Sequence, residues 1–154
     1  MAASPFPFVA GAVLTAASLN TFGDLTAYTP TFVNVTVGNG TLDFEYFTLN
    51  EVCFVKGTFT LGSTSSVAGG GATMSLPVTS VAIAGNPCYG VALMQDTSGD
   101  RHTGTISGNS TTTVKLNYNF VSGTSIVENN ISAASPFTWV ATDRIHVAFW
   151  YEIA

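Results

Sequence analysis

The chain has 154 residues, room for one domain and a short arm, and at this mass about two thirds of the unfolded surface is buried on folding. Only 8% of its residues are charged, four basic against nine acidic, which excludes the positive stripe that a nucleic-acid partner needs. An apolar content of 46% with 12% aromatics excludes intrinsic disorder, and the surface left over is Thr, Ser, Asn and Gly, which suits a protein packed against copies of itself.

In chain order, residues 1–22 form an N-terminal arm without a single charge. Phe6-Pro7-Phe8 reads as extended, because a residue before proline is pushed toward β or polyproline geometry. Leu14-Thr-Ala-Ala-Ser-Leu-Asn20 is predicted to make one or two helical turns, with Asn20 and Gly23 as stops. So short a helix is marginal alone in water and should dock, either over one end of its own domain or as an anchor to a partner. The apolar run Phe8–Ala17 is about half the roughly 20 residues of a membrane-spanning helix, so no membrane insertion is expected. Read as a signal peptide it lacks a Lys or Arg ahead of the run and carries Pro5 and Pro7 at its start.

Residues 23–154 read as one all-β domain. Thr41–Leu49 alternates, with Leu42, Phe44 and Tyr46 on one face and Asp43 and Glu45 on the other. Val52–Leu61 places Cys53, Val55, Gly57, Phe59 and Leu61 inward, with Phe54, Lys56, Thr58 and Thr60 opposite. Ala72–Leu76 and Tyr89–Met94 are weaker strands. Thr111–Phe120 groups Val114, Leu116, Tyr118 and Phe120, and Arg144–Ile153 turns Ile145, Val147, Phe149, Tyr151 and Ile153 inward. Gly-rich breaks separate these runs, and Asn39-Gly40 is the strongest hairpin signal. Short strands, tight turns and no long amphipathic helix predict an antiparallel β-sandwich or jelly roll.

Little in the chain points to catalysis, and neither a cofactor nor a metal is expected. His102 reads as part of a polar loop and His146 as outward on the last strand, with no partner at metal-binding spacing. Asp43 and Glu45 share a strand face, the pattern of a carboxylate pair for glycoside hydrolysis, but equally that of an ordinary solvated face. The stretch Gly62–Gly71 lacks the Lys and the following helix of a phosphate-binding loop. Gln95–His102 is the most polar segment; Asp96, Asp100, Arg101 and His102 make it a candidate exposed contact loop, while its acids are too sparse for a calcium loop. Phe54 and Trp150 are outward aromatics of the kind a carbohydrate-binding module sets in a row, and both are expected to be covered at a subunit or sheet contact. Cys53 and Cys88 are as readily two free thiols as a disulfide. Four Asn-X-Ser/Thr triplets, at Asn34, Asn39, Asn109 and Asn130, are what chance supplies in so Thr- and Ser-rich a chain.

Several segments in order resemble a family of tailed-bacteriophage virion structural proteins, of minor-tail or tail-fibre type. They are Phe8-Val-Ala-Gly-Ala-Val-Leu-Thr-Ala-Ala-Ser-Leu-Asn20, Tyr28-Thr-Pro-Thr-Phe32, Val37-Gly-Asn-Gly-Thr-Leu42, Gly57-Thr-Phe-Thr-Leu-Gly-Ser-Thr64 with Ser75-Leu-Pro-Val78, and Pro136-Phe-Thr-Trp139 with Asp143 and Tyr151-Glu. Thr142 stands where that ending usually carries Gly, which implies a different turn. The resemblance implies a non-enzymatic β-sandwich on the virion, a homotrimer assembled in the bacterial host, in contact with other tail or capsid proteins and with host surface glycans. It makes the arm the attachment, with Phe6, Phe8, Leu14 and Leu19 as docking residues. The alternatives are a capsid decoration protein and, from another class, a secreted carbohydrate-binding module.

Overall fold

The alternation of apolar and polar side chains along the strands builds a sheet with one face that must be buried, and the chain buries it by curling the sheet. The computed structural model describes residues 23–82, 85 and 87–154, so the predicted helical turns of the arm lie outside the described residues. Twelve strands are present among the described residues: β1 (Thr26–Ala27), β2 (Phe32–Val33), β3 (Val35–Thr36), β4 (Thr41–Leu49), β5 (Val52–Thr60), β6 (Ser66–Val67), β7 (Ala72–Ser75), β8 (Cys88–Gln95), β9 (Arg101–Ser110), β10 (Thr113–Ser122), β11 (Ser125–Asn130) and β12 (Arg144–Glu152). Ten lie in one antiparallel sheet of order β1-β4-β5-β12-β8-β9-β10-β7-β2, with β11 beside the second half of β10; β3 and β6 form a separate pair.

The described residues are thus all-β and antiparallel, and the sheet curls into a half-barrel. Phe32, on the last strand of the path, packs 6.4 Å from the Phe44 ring and 5.8 Å from the Phe59 ring, centroid to centroid, near the other end. The separate β3–β6 pair adds buried Val35 and Val67 to the same core. Inside lie Cys53, Val55, Phe59, Met74, Met94, Ile106, Leu116, Ile145, Val147, Phe149 and Tyr151. The inward residues expected on β5 and β12 are buried as predicted, apart from Gly57, which is half-buried, and Ile153, which packs at the edge of the core. Gly57 sits beneath Phe44 in the β4–β5 ladder, and a Cβ there would collide with the Phe44 ring.

Three local expectations are corrected. Asn39-Gly40 makes a tight turn, with the Gly40 N–H donating to the Val37 carbonyl at 2.9 Å, but the strands around it do not pair with each other. β3 pairs with β6 instead, because Asn39 is claimed by the loop after β5: its Oδ1 accepts from the Thr64 N–H (2.9 Å) and its Nδ2 donates to Ser63 Oγ (3.0 Å). The turn is therefore a corner between two sheets. His102, expected in a loop, lies on β9 opposite Met94, with its ring 5.8 Å from that of Phe137. Thr142 takes φ 77°, the left-handed backbone that glycine adopts most readily, so the turn keeps glycine geometry despite a β-branched residue.

Candidate functional site

Registers across β4, β5, β12 and β8 decide which side chains share the outer face of the barrel. Phe47 is opposite Phe54, and Phe54 is opposite Trp150. The Phe47 and Phe54 rings stack at 4.8 Å and 9°, and Trp150 beside them is 59% exposed. Leu25, just ahead of β1, extends this row at one edge and Val91 extends it at the other; with Tyr89, whose ring packs 5.8 Å from that of core Tyr151, they line a groove of about 440 Å³. The covering expected over Trp150 is not supplied by any described part of the chain.

The next rungs of the same face turn polar. Glu45, Lys56, Ala148 and Val91 form one, and Lys56 Nζ lies 3.0 Å from Glu45 Oε2. Asp43, Thr58, His146 and Leu93 form the next, with Thr58 Oγ1 2.9 Å from His146 Nδ1. Asp43, Glu45, Lys56, Thr58 and His146 surround a second hollow of about 310 Å³ adjoining the first. Partial burial, with Arg144 and Arg101 close by, holds the His146 imidazole below the ordinary histidine range. The structure thus gathers four sequence candidates, Asp43, Glu45, Phe54 and Trp150, onto one face. It also ties Glu45 to a lysine, so the two carboxylates do not act as an isolated pair.

The polar segment at 96–102 is a hairpin tip followed by the start of β9. The Asp96 N–H donates to the Asp100 carbonyl (2.9 Å), and the Ser98 N–H donates to Asp96 Oδ1 (2.6 Å). Asp100 and Arg101 are exposed and Asp96 is half-buried, whereas His102 is turned onto Phe137. This tip is fastened from below by Asp143, which is fully buried. Its Oδ1 accepts from the Thr97 N–H (2.9 Å) and hydroxyl (3.0 Å), and its Oδ2 accepts from the Val140 N–H (2.7 Å).

A third surface feature went unread in the sequence. β11 is exposed along its whole length, and the β10–β11 hairpin carries Val121 opposite Ile126 and Phe120 opposite Val127 in the open. Cys53 is buried and Cys88 exposed, both as free thiols, and burial pushes the Cys53 thiol up. Among the described residues no cluster of His, Cys, Asp and Glu is arranged to hold a metal, and no helix is long and apolar enough to cross a membrane. Phe6, Phe8, Leu14 and Leu19 lie outside the described residues.

The two ends of the barrel differ. Thr41, Thr60, Arg144 and Gln95 are level with one another, and the Asp96–Asp100 tip rises from that end. β1 runs antiparallel to β4, with Thr26 opposite Tyr46, so the chain reaches Gly23 at the opposite end, where a Cβ added at Gly23 would meet the Phe47 ring at 3.9 Å. Nine residues of β4 separate these levels by about 30 Å. No protein-family model, no curated protein and no solved structure matches this chain.

Proposed function

We propose that the chain is a non-enzymatic structural protein of a bacteriophage virion, a small tail appendage attached through residues 1–22 with its β domain facing out. The observation that carries this reading is the polarity just described: the arm joins at one end of the barrel, and the braced Asp96–Asp100 tip stands at the other. Such an arrangement lets one end hold and the other make contact. Recognition residues on loops braced by a rigid scaffold are the usual way a β domain meets its target.

A sandwich or jelly-roll assignment belongs to the same reading. It is supported by β12, the last strand, lying between β5 and β8, and by the rolled sheet enclosing a single core. The exposed Val121–Ile126 pair on an uncovered edge strand fits contact between copies, and a homotrimer is the assembly this reading assigns. Sedimentation should give a trimer mass, with Ile126→Lys shifting it toward the monomer; a monomeric wild type at micromolar concentration contradicts that assignment. The capsid-decoration alternative predicts particles that lose heat resistance without the chain.

A second reading rests on Trp150. An exposed indole beside a stacked Phe pair, with Asp43, Thr58 and His146 farther along the face, is chemistry that suits a sugar ring and its hydroxyls. Saturable binding on a glycan array, abolished by Trp150→Ala, would move the assignment to a carbohydrate-binding module. An array without hits favours the structural role.

A further inference from the structure

The groove bounded by Leu25, Phe47, Phe54, Val91 and Trp150 is an apolar opening of about 440 Å³, and the chain itself enters at its rim. Gly23 lies beside Phe47, near enough that a Cβ added there would reach the ring at 3.9 Å, and Leu25 is part of the lining. The 22 residues that precede Gly23 are uncharged and rich in apolar side chains, and among the described residues the only charge lining the groove is Lys56, which is already paired with Glu45. From these three facts we infer that the groove is the seat of the protein's own N-terminal arm, with Leu19 and Leu14 as the side chains that fill it.

The reach is sufficient. From Leu25 across β4 and β5 to Trp150 is three strand spacings, about 14 Å. Leu19 lies four residues before Gly23, and four extended residues span up to about 14 Å. Leu14 has more than twice that length of chain. A segment tethered at the rim also meets the groove at an effective concentration of order millimolar, which favours the protein's own arm over that of a neighbour in dilute solution. Seating Leu14 and Leu19 leaves Phe6 and Phe8 farther along the chain for any external contact. The inference does not depend on the virion assignment, and each can fail without the other.

The test uses the full chain carrying Trp139→Phe, so that Trp150 is the sole indole, and measures acrylamide quenching and emission maximum. With the arm seated, Trp150 is shielded. Leu14→Asp with Leu19→Asp should raise its quenching roughly twofold and red-shift its emission, while Phe6→Asp with Phe8→Asp should leave both unchanged. Leu19→Ser, a milder change, should show the same direction if the double variant fails to fold. Equal quenching with and without the leucines overturns the inference. So does shielding that disappears on dilution as the mass falls to a monomer, which would assign the groove to a neighbouring copy's arm. Blue-shifting of the wild-type emission by added oligosaccharide would overturn it in favour of a sugar site.

Discussion

Replacing Asp143 by Asn tests how the candidate contact tip is held. Both carboxylate oxygens of Asp143 face donors only: the Thr97 N–H and hydroxyl on one side and the Val140 N–H on the other. An amide offers one acceptor, so whichever way it is oriented its NH2 faces a backbone N–H. At least one hydrogen bond to a charged acceptor is lost, worth about 1.5–3 kcal/mol, and a buried donor is stranded at a cost of about 1–3 kcal/mol. These terms overlap, and the expected loss is about 2–4 kcal/mol, or roughly 5–12 °C in Tm for a domain of this size. Urea unfolding followed by tryptophan fluorescence should show a lower midpoint at an unchanged slope, because the surface exposed on unfolding is the same. Asp143→Ala, which strands donors on both sides, should lose more. A loss under about 0.5 kcal/mol for both variants would mean that Asp143 does not clamp the tip.

Three further outcomes are expected. Gly57→Ala should destabilise by about 1–3 kcal/mol in urea titration, because its methyl group would enter the Phe44 ring, and Gly57→Ala with Phe44→Leu should recover part of that loss. At Thr142 the left-handed backbone costs about 1–2 kcal/mol in a β-branched residue, partly offset by the hydroxyl contact to Thr97 Oγ1 at 2.7 Å. Stability should therefore run Gly at least equal to Thr, and Thr above Val; a more stable valine variant would refute the strain. For His146, the unfolded chain takes up a proton below about pH 6.5 that the native ring resists, so stability falls as the pH drops through that value toward the lower native pKa. His146→Gln should flatten that part of the Tm-against-pH curve, and an unchanged curve would show that the ring, with Asp43, Glu45 and Lys56 around its hollow, titrates normally.

Much of the barrel was legible because large apolar residues alternate along β4, β5, β10 and β12, and period-two burial needs no tertiary information. β9 was not legible, since its inward positions are Gly104, Ile106 and Gly108, and only one of them carries a hydrophobic side chain. The reason for the glycine is a close strand approach: a Cβ at Gly104 would strike the Asn117 carbonyl. β11 was missed because all six of its residues are exposed and so carry no burial pattern. The Asn39-Gly40 turn was found but its partner was misassigned, because local turn chemistry cannot report that Ser63 and Thr64 would claim the Asn39 side chain. The groove needed register. Phe47 lies in line with Asp43 and Glu45 on an otherwise acidic face, and only the pairing about the Asn50-Glu51 turn sets it against Phe54 and then Trp150. Folding the two nine-residue runs onto each other at that turn would have revealed the stacked pair.

We propose that one end of this half-barrel holds and the other end makes contact, on the surface of a virus particle. Quantitative mass spectrometry of particles purified from infected cells, carrying either the wild-type chain or Phe6→Asp with Phe8→Asp, tests it most directly. The account predicts a fixed stoichiometry for the wild type and loss of the variant from particles while it remains folded in the lysate. Absence of the wild-type chain from purified particles, or equal incorporation of the variant, would contradict it.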